Sequence, residues 1–229
     1  MSLTAKDRLI TALDLPTIED AKRLIALLGE TVGFYKIGYQ LFPLGGYDLA
    51  RELSAEGRKV FLDLKLFDIG ATVERGVRSL QGIGADLLTV HADPDTIRGA
   101  LQGRADEKLK VLAVTVLTSW DQATLNDHGI PMGVFDLVLR RAEMAAEAGA
   151  DGVIASAAEA EEIRKRFGDR LEIVTPGIRP AGAAAHDQKR VITPRDAIEA
   201  GADRLVVGRP IVEAADPAAA AAAIIAEIP

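Results

Sequence analysis

Apolar and β-branched residues gather into eight short runs along the chain: RLITALD (8–14), FYKIG (34–38), KVFLDLK (59–65), DLLTV (86–90), KVLAVTV (110–116), DGVIA (151–155), LEIVT (171–175) and DRLVVG (203–208). The runs are continuously apolar rather than alternating, which is the pattern of parallel strands buried on both faces. Between them lie longer stretches with helical spacing. Residues 17–28 carry Ile18, Ala21, Leu24, Ile25 and Leu28 behind a Pro-Thr start, and 136–148 and 157–167 keep the same period. The Ala-rich stretch 218–223, behind Asp216 and Pro217, predicts a last helix.

A short segment recurs. GADLLTV begins at Gly84, GADGVIA at Gly149 and GADRLVV at Gly201, each reading as a helix-ending glycine followed by a strand. The spacings of 65 and 52 residues are each two strand–helix units, and eight units in 229 residues average under 29 residues apiece. That length suits βα units with short loops. The expected fold is therefore α/β, a single-domain (β/α)8 TIM barrel of eight parallel strands spanning residues 1–229. A doubly wound sheet is the alternative, but the chain lacks a Gly-rich loop after its first strand. No linker divides it, and PAGAAAHDQK at 180–189 forms a long small-residue loop suited to close over a bound phosphate as a lid.

Composition narrows the class. Apolar residues make up 48% and charged residues 27%, enough for a sizeable core and unlike a disordered chain. The net charge of −7 argues against nucleic acid or an anionic membrane as the main partner. With no cysteine, disulfides, zinc–thiolate sites, iron–sulfur clusters and thiol catalysis are excluded. The N-terminus shows no signal-like apolar segment, and no apolar run reaches the ~20 residues of a membrane span. The expectation is a soluble cytoplasmic protein.

Barrel chemistry sits at the C-terminal ends of the strands, and here six of them deliver functional side chains. The first run ends in Asp14 and the second carries Lys36. The third carries Asp63 and Lys65, with Asp68 just beyond, and the fifth leads to Thr118 and Ser119. The seventh opens into Gly177 and Arg179, and the eighth into Gly208 and Arg209. Asp63 and Lys65 are two apart, hence on one side of a strand. With Lys36 and Asp68 they predict a pocket in which ammoniums and carboxylates alternate, each lysine held charged by its neighbours. A salt-bridge network bracing the mouth is the plainer reading, but such a desolvated cluster is hard to justify by stability alone. TPGIR (175–179) and VVGRPI (206–211) combine glycine turns with arginine forks, the make-up of a phosphate site. His91, His128 and His186 show no metal-ligand spacing, so no metal is expected. His91 reads first as a buried, hydrogen-bonded residue and Trp120 as packing. Lys22-Arg23 and Arg140-Arg141 read as solvated helix exteriors.

Taken in order, ALD (12–14), YKIG (35–38), DLKLFDIGAT (63–72), VLTS (116–119), TPGIR, DQKR (187–190) and VVGRPI resemble the orotidine 5′-monophosphate decarboxylase family over nearly the whole chain. The D-x-K-x-x-D-I-x-x-T element is the specific one, whereas ALD and VVGR are shared with other phosphate-binding barrels. The resemblance implies cofactor-independent decarboxylation of orotidine 5′-monophosphate to uridine 5′-monophosphate and CO₂, the last step of de novo UMP synthesis. Lys65 would protonate ring carbon six, with Lys36 and Asp63 completing the charge network and Asp68 beside the departing carboxylate. Asp14 would hold ribose hydroxyls with Lys36, while Thr118 and Ser119 read the pyrimidine. Gln188 would bridge base and phosphate from the lid, Arg179, Gly208 and Arg209 would take the phosphate, and Pro176 would also contact substrate. The family implies a homodimer in which Asp68, Ile69 and Thr72 cross into the neighbouring site.

Two rival readings share parts of this pattern. Sugar-phosphate enzymes with the same barrel and a D-x-K-x-x-D element, such as 3-keto-gulonate-6-phosphate decarboxylase and hexulose-phosphate synthase, use Mg²⁺ and an enediolate. Ile69, Thr72, Lys36 and the Thr118-Ser119 pair favour the nucleotide. A non-catalytic nucleotide-phosphate binder would keep the scaffold, and the intact Lys/Asp array speaks against it.

Overall fold

In the computed structural model, which describes residues 3–180 and 192–229, eight parallel strands close into a barrel in chain order. They are β1 (Leu9–Ala12), β2 (Phe34–Ile37), β3 (Lys59–Leu66), β4 (Leu87–His91), β5 (Lys110–Val114), β6 (Gly152–Ile154), β7 (Glu172–Pro176) and β8 (Arg204–Val207). Each apolar run thus marks one strand, with β3, β4 and β7 running one residue past it. β8 pairs back onto β1, Leu9 opposite Leu205, so no strand edge is left bare.

Two side-chain layers divide the apolar residues. Inward-facing Ile10, Phe34, Phe61, Leu87, Leu112 and Val174 fill the barrel. Outward-facing neighbours such as Leu9, Tyr35, Leu62 and Leu88 pack beneath the helices. The continuous apolar runs follow from burial on both faces. At the barrel's lower end Arg204 pairs with Glu172, and its guanidinium lies 5.3 Å from the Phe34 ring centroid. Lys110 donates to Glu172 from the rim at 2.6 Å. Burial works to raise the Glu172 carboxyl, but Arg204 and Lys110 overcome it and hold the group below the ordinary glutamate value.

The recurring Gly-Ala-Asp has a structural role in every copy. Gly84, Gly149 and Gly201 all have left-handed backbones, with φ of 78°, 89° and 102°. The aspartate two residues on then reaches to the preceding strand. Asp86 accepts from the Val60 N–H at 2.9 Å, Asp151 from Val111 at 2.8 Å and Asp203 from Ile173 at 2.7 Å. The clamp thus precedes β4, β6 and β8 and ties each to β3, β5 and β7 respectively, which explains the two-unit spacing.

Helices cover the outside between strands. Ile18–Leu28 starts at Thr17, whose hydroxyl accepts from the Asp20 N–H. Val134–Ala148 begins two residues before the periodic stretch at 136, and Ala157–Phe167 matches its stretch. The last helix, Pro217–Glu227, runs past the alanine stretch because Ile224 continues its buried face. The periodicity left unread Gly46–Ala55, Gly70–Ser79 and Pro94–Gly103. Among the described residues no helix is long and apolar enough to cross a membrane.

Candidate active site

Strand phase carries polar residues to the barrel mouth. On β2, Phe34 faces in, so Lys36 does too. On β3, Phe61 is followed by Asp63 and Lys65 at the same period. They open onto a cavity of about 530 Å³ at the C-terminal ends of the strands, within the roughly 300–1,000 Å³ typical of small-molecule sites. Asp14, Lys36, Asp63, Lys65, Thr118, Pro176, Arg179, Gly208 and Arg209 all line it, beside apolar walls from Val114, Val116 and Ile154.

One charged chain crosses this mouth. Lys36 Nζ donates to Asp14 Oδ1 at 3.0 Å and stands 3.4 Å from Asp63 Oδ2, while Lys65 Nζ donates to Asp63 Oδ1 at 2.7 Å. Carboxylate and ammonium alternate along Asp14, Lys36, Asp63 and Lys65. Lys36 is buried and Asp63 nearly so. Burial works to raise the Asp63 carboxyl, but the Lys36 and Lys65 ammoniums, with hydrogen bonds from Lys65 and Thr89, hold it below its ordinary value. Within one chain, then, the alternation ends on Asp14 and not on Asp68. Asp68 is exposed on the loop beyond β3, where its Oδ1 accepts from the Ile69 N–H at 2.7 Å. Ile69 is 71% exposed, and Thr72, in the helix Gly70–Ser79, accepts from Arg75 at 3.2 Å. None of these three lines the cavity of its own chain.

Opposite the lysines, Gly177 and buried Arg179 follow β7, and Gly208 and Arg209 follow β8. Thr118 and Ser119 part company. A turn closed by the Trp120 N–H on the Leu117 carbonyl at 2.9 Å leaves Thr118 in the wall and Ser119 exposed outside it. The expected lid, 180–189, and Gln188 with it, lies outside the described residues apart from Pro180.

With residues 7–224 matching the family described as "Orotidine 5'-phosphate decarboxylase / HUMPS family", the assignment follows. This chain belongs to that family. Within the orotidine 5′-phosphate decarboxylase / HUMPS family, it is 59% identical over 224 residues to the "Orotidine 5'-phosphate decarboxylase" of Rhodopseudomonas palustris (strain BisA53), covering 98% of this chain and 95% of that one. It is 58% identical to the enzyme of that name from Methylobacterium sp. (strain 4-46), over 99% of this chain and 97% of the relative. The crystal structure of orotidine 5′-phosphate decarboxylase from Lactobacillus acidophilus superposes with a TM-score of 0.83 at 39% identity, over 96% of this chain and 97% of that one.

Two residues around the charged array, Thr89 and Tyr39, escaped the sequence. Thr89 shares the inward phase of Leu87, and its hydroxyl meets Asp63; counting by twos along β4 would have found it. Tyr39 donates to the Leu64 carbonyl at 2.6 Å, and burial followed by the Asp63 charge holds its phenol above the ordinary value. Arg141 is no solvated exterior: it turns inward from Val134–Ala148 to donate to the Thr115 carbonyl at the end of β5. His91 is half-buried with its ring 5.3 Å from that of Phe67, and desolvation, then Arg141 and Lys65, hold it below the usual histidine value. Trp120 packs against the core and stacks on His128 at 4.5 Å.

Proposed function

We propose that this protein decarboxylates orotidine 5′-monophosphate to uridine 5′-monophosphate and CO₂, the closing step of UMP synthesis, in the cytoplasm and without metal or cofactor. The observation that carries the reading is the Lys65 ammonium, 2.7 Å from Asp63, in a cavity whose other side bears Arg179 and Arg209. The bond from ring carbon six to the carboxylate breaks and CO₂ departs. The electron pair remains in an sp² orbital on that carbon, which no ketone or imine can relieve. A fixed ammonium stabilises such a charge as it develops and then donates its proton, leaving an amine that solvent reprotonates. Asp63 accepts from the Lys65 ammonium at 2.7 Å and aims it, while the Lys36 ammonium, 3.4 Å from the other Asp63 oxygen, holds that carboxylate in place.

The remaining residues bind. Asp14 and Lys36 take the ribose hydroxyls, Thr118 and Ser119 the pyrimidine, and Pro176 the substrate's flank. Arg179, Gly208 and Arg209 take the phosphate, with Gln188 bridging base and phosphate as the 180–189 lid closes. Binding energy from the phosphate, remote from the broken bond, then assembles the charged pocket. The working unit is a homodimer in which Asp68, Ile69 and Thr72 enter the neighbouring subunit's site, Asp68 beside the departing carboxylate. The exposure of Asp68 and Ile69, and the position of all three residues outside their own chain's cavity, support that reading.

Following the ultraviolet change as orotidylate is consumed, with and without EDTA, tests the proposal. Equal turnover in both is expected. No consumption refutes the decarboxylase reading, and loss on chelation favours the Mg²⁺-dependent sugar-phosphate chemistry. Lys65→Ala should lower turnover by more than about a thousandfold while UMP still binds, and retained turnover would remove Lys65 as the donor.

A further inference from the structure

We propose that Thr89 is a positioning residue for Lys65: its single hydroxyl links the Lys65 main-chain amide to the carboxylate that holds the Lys65 ammonium, and Tyr39 secures the other end of the same peptide. The inference rests on Lys65 as the proton donor and concerns how that side chain is aimed.

Lys65 has a φ of 44°, the single non-glycine residue with a left-handed backbone among the described residues. A residue with a Cβ resists that conformation unless its surroundings enforce it. The pairing of β3 with β4 shifts register between Leu62 and Leu66, so the peptide joining Leu64 to Lys65 falls where the regular ladder is interrupted. Side chains from the two flanking strands take over its polar ends. The Lys65 N–H donates to Thr89 Oγ1 at 3.0 Å from β4, and the Leu64 carbonyl accepts from the Tyr39 hydroxyl at 2.6 Å, just beyond β2. Turning this peptide back toward strand geometry would break both bonds.

The Thr89 hydroxyl both accepts and donates in the same arrangement. It has one proton to give, and gives it to Asp63 Oδ1 at 2.9 Å, the oxygen that also receives Lys65 Nζ at 2.7 Å. The result is a closed ring from the Lys65 amide through Thr89 and Asp63 back to the Lys65 ammonium, tying both ends of the side chain to one fully buried residue. A lysine stem would otherwise sample many rotamers, and a donor that must meet one carbon loses rate when it does. The charged and titratable groups facing Asp63 are Lys36 from β2, Lys65 from its own strand and the Tyr39 phenol. Thr89 adds a donor to this set without adding charge.

Thr89→Val keeps the shape and removes the hydroxyl, whereas Thr89→Ser keeps the hydroxyl. Expected for Thr89→Val is a fall in kcat of about 10- to 100-fold with KM for orotidylate little changed. The acid limb of its pH profile moves upward, since a carboxylate that loses a hydrogen bond takes up a proton at higher pH. Thr89→Ser restores most of the rate, and Tyr39→Phe lowers kcat in the same sense by freeing the other end of the peptide. If Thr89→Val does not fold, the Ser and Phe variants carry the test. Unchanged kcat and acid limb in Thr89→Val, a Ser variant as slow as the Val variant, or an effect confined to KM overturns the proposal. Amide hydrogen exchange at Lys65 in the unliganded protein gives a readout free of substrate: Thr89→Val should speed it while Leu62 stays protected. Unchanged exchange overturns the clamp even if orotidylate is the substrate, whereas faster exchange in a protein that never consumes orotidylate overturns the decarboxylase reading alone.

Discussion

Gly38 sits just past β2, where a Cβ would stand 3.2 Å from Lys36 Nζ and 3.5 Å from Asp14 Oδ1. The ammonium is the end of a flexible stem and can retreat, so an alanine there costs the fold little and costs the Lys36–Asp14 contact its geometry. Gly38→Ala should lower kcat/KM by about 100-fold, in line with the cost of small misplacements in a site. Its Tm should stay within about 2 °C of the parent, checked by calorimetry. A lower Tm with unaltered kcat/KM would assign Gly38 to folding instead. Lys36, Asp63 and Lys65 were legible because a strand's period of two puts them on one side with Phe34 and Phe61. Thr89 shares that phase on β4, but its role, like that of Gly38, was not legible, because what each must accommodate comes from another segment: Asp14 beyond β1 for Gly38, Asp63 and Lys65 on β3 for Thr89.

At the scale of elements, the loop beyond β3 and the helix Gly70–Ser79 are held by the neighbouring helix Pro94–Gly103 through an unusually close approach. A Cβ on Gly99 would lie 2.3 Å from the Gly70 carbonyl oxygen, and one on Gly103 2.4 Å from that of Glu74. Backbone cannot give way as a side-chain tip does. Gly99→Ala should therefore destabilise the protein by about 1–3 kcal/mol, the usual cost of overpacking. That corresponds to a Tm lower by about 2–12 °C in a calorimetric scan. A Tm equal to the parent's would mean that the two helices separate freely. This contact left no apolar signal, since glycines meet backbone carbonyls there; the periodic helices 17–28 and 157–167 were readable because they bury leucine, isoleucine and alanine. The Gly-Ala-Asp repeat was legible as a helix stop. The work of its aspartates emerged only with strand pairing, because the N–H groups they accept from belong to the preceding strand, 26 to 40 residues away in the chain.

At the scale of the whole molecule, closure of β8 onto β1 gathers Asp14, Lys36, Asp63, Arg179 and Arg209 around one cavity, although they are spread over some 200 residues of sequence. Asp68 and Ile69, both exposed, and the half-buried Thr72 extend the question to a second copy. Lys65→Ala and Asp68→Ala proteins, each inactive alone, should regain activity when mixed and allowed to exchange subunits, because a mixed dimer contains one intact site. Recovery to about a quarter of the wild-type rate is expected at random pairing, and an inactive mixture in which subunit exchange is verified would confine Asp68 to its own chain. The sequence by itself determined the eight strands, their parallel burial, the barrel and the cations and carboxylates at its mouth, because hydrophobic period and strand phase are local properties. Tertiary structure decided the rest. It put Asp14 rather than Asp68 at the end of the charged array, turned Ser119 out of the cavity and Arg141 inward, and bent Lys65 into a left-handed backbone between Tyr39 and Thr89. Each of these depends on distances between segments remote in sequence, which are set only when the barrel closes.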